Sequence, residues 1–499
     1  MRFGKPRPLT EARTPADLLA PSTLANLGAR GAMWQGFAQV VGKGIVLLTT
    51  IVLARLLSPE EYGLIALALV VMAYAETLAD AGVAQALVYL PRSAEIARSA
   101  LLISILMGGV LAAGALVGAP LISEFFGREE VTSLVQVLAV SLLATALAAV
   151  PESLLRRELR FQRLTAATVI RAVVTGALSM SLAFAGYGAW SLPIGTAAGS
   201  IMYAVSCWVL LPEHVSWRIW HVDSQSFRAN LTYGFPVAGS NLLARLIFDI
   251  DYLIIGRMLG AQALGFYILA FRLPELLIIN VFFVLSSVMF PLYARVRNEP
   301  VRLQNGYLKS VQMQALYGVT AGVGLAVVAP ALVPVLFGDQ WDAAVLPLVF
   351  LALYASARSL GAGANDVYKA IGRPSLSIWI SIVRLAVLIP VLLFATQWGI
   401  AGVAAAQFGV TLLFAAGMQT VAAKVIGVRG GQLMRAVLPG LVCGAIVTLV
   451  GLGVRTLPLG NELLTVSAVV AACVAAVFAA LRLGFPSLYR ELLALAFRR

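Results

Sequence analysis

Residues 99–122 read SALLISILMGGVLAAGALVGAPLI, and no charged residue falls between Arg98 and Glu124. A helix needs roughly 20 apolar residues to cross the hydrocarbon of a bilayer. The run 98–122 therefore reads as one transmembrane span. Similar runs centre on 33–57, 62–90, 132–152, 164–185 and 189–211 before it pauses at the polar stretch 212–231. They resume at 232–258, 264–293, 310–337, 343–370, 375–397, 400–425, 433–454 and 463–482. The expected fold is an all-α integral membrane protein of about fourteen spans, by the same length rule. Composition agrees. The 499 residues are 60% hydrophobic and 12% charged, with a mean hydropathy of +0.91. A soluble domain is about a quarter charged, so lipid must solvate much of this chain.

The net charge of +13 does not point to nucleic acid, because Lys and Arg are scattered through short loops between apolar runs. Such a bias sets membrane orientation. With the N-terminus inside, the inner loops hold Arg92 and Arg98, Arg156, Arg157, Arg160 and Arg163, Arg218 and Arg228, Arg295, Arg297, Arg302 and Lys309, Lys369 and Arg373, and Lys424, Arg429 and Arg435. The outer loops keep only Arg55, Arg128, Arg257 and Arg455. Both termini are expected in the cytoplasm. Residues 1–30 are polar and basic and read as a cytoplasmic tail, not a signal peptide. Cys207, Cys443 and Cys473 lie in or beside apolar runs and have no metal or disulfide spacing.

The chain echoes itself. Arg55-Leu56-Leu57 and Gly63 match Arg257-Met258-Leu259 and Gly265 at an offset of 202 residues. Ala119-Pro120 and Phe126-Gly127 match Ala329-Pro330 and Phe337-Gly338, and Ile170-Arg171 matches Val383-Arg384. Three echoes in order predict two parallel six-helix repeats, forming two lobes around a central cavity, plus two extra C-terminal helices. The expected organisation is a cytoplasmic tail (1–30), a first lobe (31–211), a cytoplasmic inter-lobe loop (212–231), a second lobe (232–425), helices 13 and 14 (426–485) and a cytoplasmic amphipathic tail (486–499).

Ionisable residues inside apolar runs are costly and mark functional positions. Lys43, Arg171, Arg245, Arg358 and Arg384 are the candidate contacts for an anionic, diphosphate-bearing substrate, since guanidinium groups suit phosphate oxygens. Glu76, Asp80, Asp249 and Asp366 are the candidate ion-coupling or cavity acids. Glu76 and Asp80 share a helix face, as do Arg245 and Asp249. Arg272 and Glu275 read as a local pair around Pro274, and Asp251 as a packing residue. Lys43, Arg171 and Arg384 have no opposite charge within one turn. No phosphate loop of the GxxxxGK[ST] type and no metal-ligand spacing occur. The expected outer loops, such as Gly338–Asp342, are too short for a catalytic face. No cofactor and no enzymatic activity are expected.

A series of stretches is similar to one family. They are Ala54-Arg55-Leu56-Leu57-Ser58-Pro59-Glu60-Glu61-Tyr62-Gly63, Asp80-Ala81-Gly82, Pro151-Glu152-Ser153-Leu154-Leu155-Arg156-Arg157, Gly186 with Gly188 and Trp190, Phe337-Gly338-Asp339-Gln340-Trp341, and Gly372-Arg373-Pro374. In this order they resemble the Wzx-type oligosaccharide flippases of the multidrug/oligosaccharidyl-lipid/polysaccharide exporter superfamily, nearest the colanic-acid-type branch. The resemblance implies fourteen helices in two lobes and a multi-pass protein of the bacterial inner membrane. It implies a polyprenyl-diphosphate-linked oligosaccharide as cargo, moved to the periplasmic leaflet for exopolysaccharide or lipopolysaccharide synthesis. H+ or Na+, membrane lipid, and a polysaccharide polymerase with export machinery are the expected partners. A peptidoglycan-precursor flippase and an ion-coupled drug exporter of the same superfamily stay open as alternatives.

Overall fold

The structure, a computed structural model, describes residues 21–79, 82–90, 93–211, 223–458 and 460–496. Among them the fold is all-helical. The helices are α1 (Pro21–Leu56), α2 (Pro59–Ala79), α3 (Val83–Tyr89), α4 (Ala94–Phe126), α5 (Glu130–Arg157), α6 (Phe161–Phe184), α7 (Ser191–Leu210), α8 (Ser224–Met258) and α9 (Ala261–Pro274). They continue as α10 (Asn280–Val296), α11 (Pro300–Phe337), α12 (Val345–Ala370), α13 (Pro374–Ala395), α14 (Gly399–Ile426), α15 (Gly430–Arg455), α16 (Glu462–Gly484) and α17 (Pro486–Ala496). Eleven helical stretches among the described residues are long and apolar enough to cross a membrane. One of them, Ser375–Ile426, contains both α13 and α14. Side chains such as Val117 and Leu483, 81% and 82% exposed, make an outer surface that only lipid can cover.

Local chemistry explains the ends. Ser58 and Glu61 form a capping box at α2: Glu61 Oε2 accepts from Ser58 N at 2.8 Å, and Ser58 Oγ accepts from Glu61 N at 3.3 Å. Pro59 takes the first helical position, where no N–H is needed. Ser93 caps α4 by accepting from Ile96 N at 3.0 Å. Gly127 ends α4 at φ 68°, a left-handed conformation that glycine adopts without strain. Asp223 precedes α8 and accepts from Ser226 N at 3.0 Å; these backbone N–H bonds hold its exposed carboxyl below the ordinary range. Pro274 has the consequence its ring requires. A π-turn, Glu275–Ile279, follows it, and Glu275 O accepts from both the backbone N–H and Nδ2 of Asn280.

Helices run further than hydropathy alone foretold. α8 starts at Ser224, inside the stretch expected to be loop at 212–231, and α11 starts at Pro300 rather than 310. Backbone groups leaving the hydrocarbon still gain by pairing within the helix, so charged residues such as Arg302 and Lys309 sit on helical backbone. The amphipathic C-terminal tail is a helix, but it docks on protein. Leu488 of α17 is buried with Leu316, Cys443 and Leu481, and Glu491 pairs with Lys309.

The chain divides into two compact units: residues 1–57 with 67–248, and residues 58–66 with 249–499. The division cuts through α2 and α8 rather than the 212–231 stretch. In the first unit, Val83, Leu87, Ile96, Ala100, Leu101, Val150 and Leu155 form a core among α3, α4 and α5. In the second, Tyr293, Tyr307, Val311, Val367 and Tyr368 anchor the core among α10, α11 and α12.

Small residues set the helix spacing. A methyl group at Gly195 or Gly199 of α7 would collide with Ser179 or Thr175 of α6. Two further helix pairs meet at small residues: Gly108 of α4 faces Ala146 of α5, and Gly318 of α11 faces Ser359 of α12. Within the second unit the starts of α2 and α9 meet reciprocally. A Cβ on Gly63 would overlap the carbonyl of Ala261, and a Cβ on Gly265 would stand 2.5 Å from the carbonyl oxygen of Pro59. Gly63 and Pro59 lie 202 residues before Gly265 and Ala261, so each contact is the image of the other. Beside them Trp341 is fully buried, with the rings of Tyr62 and Phe266 edge-on at 5.5 and 5.6 Å.

Candidate functional site: two buried polar clusters

The ionisable residues gather into one cluster in each unit. In the first, Glu76 of α2 is half-buried, and the guanidinium groups of Arg171 (α6) and Arg245 (α8) are close enough to attract its carboxylate. Ser141 of α5 gives its proton to Leu138 O at 2.6 Å and lies 3.4 Å from Glu76 Oε1. Arg171 sits over the ring of Tyr203 (α7), 5.5 Å from its centroid, a cation–π placement. The Gly199 contact that brings α7 against α6 is what lets Tyr203 reach that arginine, one turn along the same helix face. Lys43 is half-buried on α1, which packs against α6 where Thr49 meets Gly176. A carboxylate from another helix therefore reaches Arg171, a neighbour invisible in the local sequence.

In the second unit, Asp251 of α8 is buried at 4% exposure. It accepts from Tyr267 Oη (α9) at 2.8 Å, Gln407 Nε2 (α14) at 3.2 Å and Tyr252 N at 3.1 Å. Three donors on one carboxyl group make it a fixed acceptor that ties α8, α9 and α14, which fits the packing role expected for it. An aromatic wall continues from there: Tyr252 against Tyr267 and Phe271, then Phe271 against Tyr354. Arg358 (α12) donates to Tyr354 Oη at 2.7 Å and lies within electrostatic reach of both Arg384 and Asp251. Arg384 (α13) donates from Nη2 to Thr411 Oγ1 (α14) at 3.0 Å, while its buried Nε has no hydrogen-bond partner among the described residues. Two guanidinium groups thus stand within electrostatic reach of one another, beside an acid that is already committed. Coulomb attraction for a multivalent anion is strong in such surroundings.

The remaining candidates lie elsewhere. Asp366 is buried at 2% on α12, two turns beyond Arg358, and accepts from Ser286 Oγ at 2.6 Å. Its surroundings include Lys369. Asp249 is the exception: half-buried on α8, it lies within electrostatic reach of Asp251 and Tyr252. Asp80 lies outside the described residues, as do His214 and His221. Arg272 and Glu275 pair at 3.0 Å, as their spacing suggests. All three cysteines are buried free thiols. Among the described residues no group of His, Cys, Asp and Glu is placed to hold a metal ion.

The charges stand out in the sequence; their neutral partners do not. Tyr203, Tyr267, Gln407 and Thr411 complete the clusters. Gln407 had a signal: it is an amide in the apolar run 400–425, where each polar group needs a partner.

If Asp251 is the tie described, Asp251→Ala leaves the Tyr267 hydroxyl and the Gln407 amide buried without their acceptor. The expected loss is about 2–4 kcal/mol of stability, read as a lowered melting temperature of the purified protein and lowered membrane abundance. Asp251→Asn, which keeps one acceptor oxygen, should lose less. Equal melting of wild type and Asp251→Ala would remove the structural role.

Known proteins show related sequences and folds. The family described as "Polysaccharide biosynthesis protein" matches residues 52–346. The "Lipopolysaccharide biosynthesis protein WzxC" of Escherichia coli (strain K12) is 23% identical over 389 residues, 77% of either chain. The "Teichuronic acid biosynthesis protein TuaB" of Bacillus subtilis (strain 168) is 27% identical over 317 residues, 61% of this chain and 63% of that one. Among solved structures, the lipid II flippase MurJ in an inward closed conformation superposes with a TM-score of 0.71 at 15% identity, covering 93% of this chain and 100% of that chain. An inward-facing multidrug resistance transporter of the MATE family gives 0.64 at 15% identity, over 78% of this chain and 94% of that chain. At these identities the likeness is one of fold.

Proposed function

We propose that this chain, which belongs to the polysaccharide biosynthesis protein family, is a flippase for an undecaprenyl-diphosphate-linked oligosaccharide repeat unit. It carries that unit from the cytoplasmic to the periplasmic leaflet of the bacterial inner membrane, for exopolysaccharide or lipopolysaccharide synthesis. The observation that supports this reading is the pair Arg358 and Arg384, two guanidinium groups on apolar helices and within electrostatic reach of one another. A sugar headgroup cannot enter hydrocarbon unaided, because its hydroxyls would lose their water partners. Buried guanidinium groups recognise the diphosphate that every such carrier lipid bears, whatever sugar it holds. Arg171, Arg245 and Lys43 add cations to the same task in the first unit.

The proposed architecture has fourteen spans in two parallel repeats, with both termini in the cytoplasm and transport by alternating access. Glu76, flanked by Arg171 and Arg245, is the acid best placed to couple a proton or sodium ion to substrate. Its ionised form offsets the two cations that a diphosphate would otherwise occupy. Asp80, Asp249 and Asp366 are the further coupling candidates.

The test is reconstitution. Proteoliposomes carrying a fluorescent polyprenyl-diphosphate oligosaccharide should expose it to an external glycosidase faster with the protein than without, under an imposed ion gradient. Glu76→Gln should blunt the gradient dependence more than it weakens substrate binding. Exposure no faster than in protein-free vesicles would overturn the reading. Faster exposure of a lipid-linked peptidoglycan precursor than of the oligosaccharide carrier would redirect it to that substrate.

A further inference from the structure

Two cavities in the second unit meet at one residue, Lys309. The first is a groove of about 360 Å³ between α10 and α11, walled by Leu285, Met289, Leu292, Val296 and Met313, with Arg302 also lining it. The second, of about 300 Å³, lies between α11 and α15 and is polar, with Asn305, Gln312 and Arg435 around it. Lys309 lines both. One cavity offers an apolar wall, the other two cations with two amide side chains, and a single side chain joins them.

We infer that this composite site binds an anionic phospholipid, with one acyl chain along the α10–α11 groove and the headgroup phosphate between Lys309 and Arg435. Charge complementarity identifies the occupant. The groove wall is apolar over about three turns of α10, which suits a hydrocarbon chain. The adjoining pocket presents Lys309 and Arg435 as cations with the amides of Asn305 and Gln312 as donors, which suits a phosphodiester. Phosphatidylglycerol has that chemistry. On the topology of the proposed function the site faces the cytoplasmic leaflet, but lipid binding here stands whether or not the chain flips a carrier.

The surrounding charges set the strength. Lys309 pairs with Glu491 of α17 and donates to Gln312 Oε1 at 3.2 Å, and Arg302 pairs with Glu299 at 2.8 Å. Both ion pairs are partly or largely exposed, where an ion pair is weak. Glu491 therefore occupies the cation that a phosphate would use, and lipid and α17 compete for Lys309.

Native mass spectrometry of the full chain, purified from vesicles of equal phosphatidylglycerol and phosphatidylcholine, tests this. Wild type should retain phosphatidylglycerol in preference. Lys309→Gln with Arg435→Gln should cut that retention roughly thirtyfold, since each basic contact near the surface is worth about fivefold. Glu491→Gln should raise retention, because it releases Lys309. That variant keeps the test decisive if the double variant folds poorly. Retention unchanged in the double variant, lowered retention in Glu491→Gln, or preferential retention of a polyprenyl phosphate would each overturn the assignment.

Discussion

Alanine in place of Arg384, or of Arg171, abolishes polymer export at normal membrane abundance: that is the expected result with the largest effect on transport. Each guanidinium is held by a neighbour, Arg384 by Thr411 at 3.0 Å and Arg171 over the Tyr203 ring. Each is thus positioned before any anion arrives. A charge-assisted hydrogen bond to a diphosphate is worth about 1.5–3 kcal/mol, so one replacement costs roughly 10- to 150-fold in substrate affinity. Lysine keeps the charge but not the planar fork, and should restore only part. Export and membrane abundance are measured together, because an arginine that merely anchors its helix would lose abundance. The Glu76 neighbour supplies a sharper control. If Arg171 serves only to neutralise Glu76, then Glu76→Gln with Arg171→Ala should export normally. Restored export in that double variant would sink the diphosphate role, as would full export from Arg171→Ala with Arg384→Ala.

The second large effect concerns stability, at the reciprocal glycines. Gly63→Ala places a methyl group where the Ala261 carbonyl already is, and Gly265→Ala places one 2.5 Å from the Pro59 carbonyl oxygen. Backbone cannot rotate out of the way as a side chain can, so α2 and α9 must part. Overpacking of this kind costs about 1–3 kcal/mol, and the buried Trp341, clamped by Tyr62 and Phe266, would loosen with it. A melting temperature lowered by several degrees is expected for either variant, with export reduced alongside. Gly109→Ala is the control: a Cβ there meets nothing within 4 Å, and alanine favours a helix over glycine by about 1 kcal/mol. Gly63→Ala melting with Gly109→Ala would show that the contact is not tight in solution.

Much of this architecture is legible in the sequence because the bilayer imposes a length. Runs such as 98–122 and 433–454 fall on α4 and α15 with ends shifted by a few residues. The shifts have one cause. Hydropathy falls at the first charge, whereas helix pairing continues past it, so α11 reaches back to Pro300 through Arg302 and Lys309. The clusters were half legible. Charge inside an apolar run singled out Glu76, Arg171, Arg358 and Arg384. Which charge meets which depends on helices far apart in sequence, so the approach of Glu76 to Arg171 could not be read from either neighbourhood. Asp251 was separable from Asp249 by helix face alone, but its donors Tyr267 and Gln407 come from two other helices. Docking of α17 was likewise hidden. Leu488 fits a helix lying on lipid as well as one lying on protein, and only the burial of Leu488 with Leu316 and Cys443 distinguishes them.

The paired contacts of Gly63 with Ala261 and of Gly265 with Pro59 have the form of an isologous joint. Contacts that exchange places under a two-fold operation are what a symmetric dimer makes. In such a joint each side sets the other's clearance, so crowding at one glycine is not relieved by any change at the other. Only a shift of backbone, at Ala261 or at Pro59, makes room. The starts of α2 and α9 are therefore locked in register, and a movement that carries one of them must carry both.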